Sequence, residues 1–330
     1  MKKTPRSENR LIALQTIVRY ALYAALFAFI PLCVCDNPVK DAERPAAKTA
    51  YEYFVDLSKY PRCSGSEKPA SDFLVSFGRA HGLDARQDKA LNVLIKKRGS
   101  IGRESEPPII LQAHMDMVCR KDDDAEHDFG RDPIIPVING DWITAQKRTT
   151  LGADDGCGVS MIMAVLAARD LSHPPIEAVF TTEEELGLVG AGRFDVSWLA
   201  GMRLLNLDTE MEGAIVVGDG HVGGPDWVVP IAVTAQMKAA VIPEWPYKPV
   251  SPLRDRMVEV FREYYNGEEP MIAGLQHVAV ECSMFASKMP DADMASIGPD
   301  IFDIHTPEER MSFSSYNRVY GYLVLLLERL

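Results

Sequence analysis

The chain has 330 residues, 47% hydrophobic and 25% charged, enough apolar material for one large domain or two small ones with a full core. Its 35 Lys and Arg against 47 Asp and Glu give a net charge of −12, and no basic stripe or arginine-rich run occurs. That pattern argues against nucleic acid as a partner and names no substrate.

The first 35 residues stand apart, with five basic residues and one acid, so the remainder holds 30 against 46. A basic "MKKTPRSENR" precedes an apolar run over residues 20–34, and a polar stretch, 36–47, follows as a linker. This order is that of a secretory signal or an N-terminal membrane anchor, which predicts export to the periplasm or cell envelope. The run is shorter than the ~20 residues a spanning helix needs. Leu32 is placed as in a lipoprotein processing site ending at Cys35, although Val34 is larger than the small residue usual there. A mis-assigned start, with a cytoplasmic protein, is the alternative.

Helical spacing follows at residues 50–60 and 70–82, the second closed by Gly82. Short β-rich runs come at 91–97 and 109–111, then a Pro- and Asp-rich loop whose consecutive acids read as a solvated face. Beyond a buried helix at 158–168 the pattern alternates: strand 176–182, helix or turn, strands 203–208 and 214–218, helix 252–265, strand 294–298 and a helix over 315–330. Ser251 and Pro252 are the cap and first residue expected of the helix at 252. Strands alternating with helices predict an α/β fold, a sheet covered on both faces. Cys63, Cys119, Cys157 and Cys282 are scattered without a spaced framework and read as small buried hydrophobes.

In such sheets the working groups collect beyond the carboxyl ends of the strands. His114 and Asp116 follow one strand, Glu183, Glu184 and Glu185 another, and Asp208 a third, while Asp154 and Asp155 occupy a Gly-bounded turn before a helix. Taken singly, each reads as readily as a cap or turn residue. Together, carboxylates aimed at one point repel unless cations lie between them, so the set implies metal. Oxygen ligands mixed with imidazole suit zinc, manganese or cobalt. A second His is then expected, and His305, after the strand at 294–298, is the best placed of the seven.

The motifs "LQAHMDMV", "HDFGRDPI", "TTLGADDG", "TEEELG", "LLNLD" and "ASIGPDIFDIHTPEE" occur in the order seen in the dinuclear-zinc dipeptidases. The chain resembles that family, its aminoacyl-histidine (Xaa-His) dipeptidase branch in particular, over residues 48–230 and 243–330. The resemblance implies one zinc-exopeptidase-like catalytic domain over residues 48–330, built on a mixed central sheet with helices on both faces. It implies two divalent cations, most simply zinc, with manganese or cobalt possible. Asp154 would bridge them, His114 and Asp208 would complete one site, and Glu185 and His305 the other. Asp116 would orient His114, and Glu184 would be the general base in hydrolysis of a small peptide. An aminopeptidase, an N-acyl amino acid deacylase and a non-catalytic metal-binding relic of the same fold remain open.

Departures from the family accompany the resemblance. Its members interrupt the catalytic domain with a satellite domain that commonly dimerises them and donates a His to the developing oxyanion. Here only a short connection joins the two catalytic halves, so the satellite is deleted near residues 231–243, and a monomer, or a dimer through some other surface, is expected. His277 in "QHVAVEC" matches a family motif and, with Glu281, is the candidate substrate-binding pair. Cys119 stands where the family has Pro, and Arg148 where it has Gly.

Overall fold

Six residues in a row, Ile109–His114, are buried and form the central strand β3. A strand buried on both faces needs helices on both, and that requirement shapes the rest of the fold. In the computed structural model, residues 48–219, 229–232, 242–276 and 280–330 are described. The N-terminal segment, the deletion point near 231–243 and His277 lie almost wholly outside them.

The preceding elements are helices α1 (Ala50–Leu57) and α2 (Lys68–Ala80) and strands β1 (Asp84–Gln87) and β2 (Val93–Lys97). After β3 come β4 (Pro136–Asn139), β5 (Trp142–Ala145), α3 (Ala153–Ala167), β6 (Ile176–Thr181), α4 (Val189–Arg193), β7 (Arg203–Asn206), β8 (Ala214–Asp219) and β9 (Val229–Ala232). The chain closes with α5 (Pro252–Tyr264), β10 (Met271–Gln276), α6 (Cys282–Lys288), β11 (Asp293–Ser296), β12 (Ile301–Phe302), β13 (Arg310–Ser312) and α7 (Phe313–Arg329). The main sheet has nine strands in the order β1-β2-β6-β3-β7-β11-β8-β10-β9. Its centre, β6-β3-β7-β11, is parallel, whereas β1-β2, β2-β6 and β11-β8 are antiparallel. The sheet is therefore mixed, as expected.

Alternate residues of the strands feed two cores. Ile109 and Leu111 of β3 pack on one face with Phe54 of α1, Leu74 of α2, Val159 of α3, Met257 of α5 and Leu323 of α7. Ile110, from the other face, joins Ala191 of α4 and Cys282 and Phe285 of α6. Each such fully buried large side chain contributes roughly 1.5–3 kcal/mol. Local chemistry fixes the helix starts. Thr49 and Glu52 form a reciprocal capping box at α1, and Ser251 caps α5 while donating 2.6 Å to Asp293. The connection from β8 to α5, residues 220–251, is shorter than the ~50 residues at which domains begin.

Two features differ from the sequence reading. A separate four-stranded sheet, β12-β13-β5-β4, joins the segment after the acidic loop to the segment around His305. Its strands are two to four residues long, too short to show a period. Cys63 and Cys119 are not separate buried hydrophobes but a disulfide, with Cα atoms 5.5 Å apart. They lie 56 residues apart in sequence. Only the tertiary pairing of Cys63 with Met117, as a parallel bridge, brings them together. Cys157 and Cys282 are buried and outside the disulfide, as read. Replacing both bridged residues by Ser should lower stability by about 2–4 kcal/mol in urea unfolding, the cost of reopening a long loop.

Candidate metal centre

The strand order decides where the acids meet. β6, β3 and β7 are parallel neighbours, about 4.8 Å apart, and their carboxyl ends lie side by side. The register that sets Gln112 beside Asn206 puts Asp208 level with His114, and Thr181 beside His114 starts the Glu183–Glu185 turn at the same edge. His114 Nε2 lies 3.6 Å from Asp208 Oδ1. The first turn of α3 brings Asp154 against the same imidazole, 2.9 Å from Nε2. Asp154 and Asp155 are joined by a cis peptide and have non-helical dihedral angles.

The other Asp154 oxygen faces the second imidazole: Oδ2 lies 3.1 Å from His305 Nε2, which is also 2.7 Å from Glu185 Oε1. One carboxylate thus has one oxygen on each of two histidines. The side-chain donors of His114, Asp154 and Asp208 lie within 4.8 Å of one another, as do those of Asp154, Glu185 and His305. His114, Glu184 and Glu185 form a third such group. His305, 27% exposed at its side chain, is the most open of the group, whereas His114 is sealed at 1%.

Asp116 lies beneath this constellation, fully buried. Its Oδ1 is 3.3 Å from His114 Nδ1, the nitrogen facing away from Asp154. The same carboxylate accepts the backbone N–H of Glu184 at 3.1 Å and of Glu185 at 3.3 Å. It therefore fixes the turn that carries both glutamates while standing beside the imidazole. Glu67, which lay outside the sequence reading, accepts the backbone N–H of Glu183 at 3.0 Å from the other side. Both Glu183 and His305 have positive φ, 50° and 63°, a conformation non-glycine residues keep only when their surroundings hold them there.

Charge in the centre is poorly balanced by protein groups alone. Burial, reinforced by the charges of Asp154 and Glu185 against the pull of His114, pushes Asp208 up to about 7. Burial likewise lifts Glu184 far above the carboxylate range, with Asp208 and Glu185 adding to it. Burial alone would lower His305, but its hydrogen bonds to Asp154 and Glu185 prevail and raise it to about 10. His114 is raised in the same way, chiefly by Asp208 and Glu184 against burial. Buried carboxylates crowded about two imidazoles mark a place where positive charge is wanted, and this donor set of nitrogen and oxygen fits divalent metal.

The sequence-derived residues thus divide. His114, Asp116, Asp154, Glu184, Glu185, Asp208 and His305 converge. Glu281, expected to touch substrate, is fully buried at the start of α6, where its Oε2 accepts from Gln112 and Thr181. Burial pushes it up to about 8. From Gln112 the network continues to Asn206 at 2.8 Å, and Asn206 accepts the backbone N–H of Asp208 at 3.3 Å. Glu281 therefore reaches the centre through the strands that carry His114 and Asp208. Asp155, Arg62 and Glu309 also support the site, and no local pattern distinguishes them.

Residues 110–329 match the family model for peptidase family M20/M25/M40. The chain is 39% identical over 168 residues to the cytosol non-specific dipeptidase of Escherichia coli (strain K12), across 51% of this chain and 34% of that protein. It is 49% identical over 68 residues to peptidase T of Citrobacter koseri, across 19% of this chain and 16% of that protein. The matched parts span about a third and a sixth of those relatives' lengths. Among solved structures, aminoacylhistidine dipeptidase from Vibrio alginolyticus superposes with a TM-score of 0.75 at 21% identity, covering 84% of this chain and 96% of that chain. That likeness is one of fold.

Adding zinc to metal-free protein should raise its melting temperature, since a ligand at 100 times its Kd stabilises by about 2.7 kcal/mol. Asp154→Asn should remove most of that rise in the same thermal scan.

Proposed function

Because the chain belongs to peptidase family M20/M25/M40, we propose that it is a metal-dependent dipeptidase, acting on Xaa-His or on dipeptides without strong side-chain preference. The observation that carries this reading is Asp154, with one carboxylate oxygen toward His114 and the other toward His305. His114 with Asp208 and Glu185 with His305 would each hold one divalent cation, zinc or else manganese or cobalt, with Asp154 shared. Such a pair supplies Lewis acidity toward a water and toward the scissile carbonyl.

The protein's own part is proton handling and alignment. Glu184 takes a proton from the attacking water on its carboxylate. As the C–N bond breaks, Glu184 passes that proton to the leaving amine, which departs neutral. Its burial, at 8% exposure, keeps bulk solvent from competing for that proton. Asp116 keeps His114 in one orientation throughout and holds the Glu184 backbone in place. With no satellite domain to supply an oxyanion donor, turnover should be slower than in relatives that have one, by about 100- to 1000-fold for a single donor.

The Cys63–Cys119 disulfide supports an oxidising compartment, in line with the export signal read over residues 1–35. Among the described residues no helix is long and apolar enough to cross a membrane. We take the protein to be an exported or envelope-anchored monomer.

Hydrolysis of a dipeptide panel by zinc- or manganese-loaded protein tests the reading beside Glu184→Gln. The variant should keep its metal and lose about 100- to 10,000-fold in kcat. Metal-replete wild type inactive on dipeptides, N-acyl amino acids and aminopeptidase substrates would instead point to the relic.

A further inference from the structure

Glu309 is 2% exposed and lies four residues beyond His305, yet its partners are in the turn that leads into α3. Its Oε2 accepts the backbone N–H groups of Leu151 at 2.8 Å and Gly152 at 3.0 Å. Its Oε1 accepts those of Ala153 at 2.7 Å and Asp154 at 3.4 Å. Four consecutive amides thus converge on one carboxylate, and the last belongs to the residue placed between the two histidines. This turn leaves little freedom. Gly152 has φ 67°, and a Cβ there would stand 2.8 Å from Met117 Sδ. Arg62, buried beside it, donates to Gly152 O and also to Met115 O at 3.1 Å and Asp116 O at 3.0 Å. Arg62 therefore ties the same turn to the one that follows His114.

We propose that Glu309 is a positioning residue of the metal centre, clamping the 151–154 backbone so that Asp154 presents one oxygen to each site. One short segment then performs two tasks: His305 contributes a ligand, and Glu309 fixes the ligand that both sites share. A carboxylate is required because all four partners are donors. A glutamine of the same shape would turn its own N–H groups against two of them, leaving those amides without an acceptor in a buried turn. The inference rests on the reading of Asp154 as a shared ligand.

The test is metal binding by equilibrium dialysis with zinc, read on wild type, Asp154→Asn, Glu309→Gln and Glu309→Asp. Thermal unfolding of each metal-free form is read alongside. Glu309→Gln should weaken zinc binding by about 10- to 100-fold, the usual effect of removing a group that orients ligands. In turnover it should lower kcat while leaving KM near the wild-type value. A merely structural residue would lower the melting temperature of the metal-free form and leave zinc affinity of the folded protein unchanged. Wild-type affinity in folded Glu309→Gln therefore overturns the proposal. Should that variant not fold, Glu309→Asp, which keeps both oxygens on a shorter stem, is read in its place by the same two outcomes. If Asp154→Asn binds zinc like wild type, the shared-ligand reading itself fails. If Asp154→Asn loses zinc and the Glu309 variants do not, only the role of Glu309 fails.

Discussion

Charge crowding around Asp154 is the constraint on which the other arrangements depend. Asp154, Glu184, Glu185 and Asp208 stand about His114 and His305, and His114 is almost closed to solvent. Buried carboxylates with so few cationic partners are costly, and a fold tolerates them only where a cation or a proton is meant to be held. The histidines provide positive charge when protonated, and divalent ions would provide more of it at the same positions. Glu183 and His305 both keep positive φ, the one at the start of the glutamate turn and the other carrying the second imidazole.

That crowding is sustained from outside by groups that are not ligands. Asp116 grips the Glu184–Glu185 turn, Glu67 grips its start, and Glu309 with Arg62 grips the turn before α3. Beneath them a polar line runs from Glu281 through Gln112 to Asn206 and the Asp208 backbone. Strands β6, β3 and β7 set the coarse spacing, and these bonds set the fine one. Removing a partner from such a network leaves a buried polar group unpaired and loosens the side chains that the network holds in place.

Much of this was legible in the residues. The continuous apolar run before His114 and the strand-end positions of His114, Asp116, Glu183–Glu185 and Asp208 pointed to this edge of the sheet, whereas the choice of Asp154 over Asp155 and of Glu184 and Glu185 over Glu183 came from the family resemblance. The small sheet was not legible, because a two-residue strand such as β12 has no period to read. The disulfide escaped for a different reason: Cys63 and Cys119 are joined by a loop-to-strand pairing that depends on the whole fold. Glu281 was placed in the substrate pocket on the strength of a motif, yet it is buried among Gln112 and Thr181. A motif marks where a residue matters, and only packing shows from which side it acts. Glu309 lay inside a quoted motif with no role, since its four partners are about 155 residues away in sequence.

Anomalous diffraction from crystals of the zinc-loaded protein, collected at the zinc edge, addresses the shared-carboxylate centre most directly. The expected map has two peaks, one within bonding distance of His114 and Asp208 and the other of Glu185 and His305, with Asp154 touching both. A single peak, or two peaks that do not share Asp154, would contradict it.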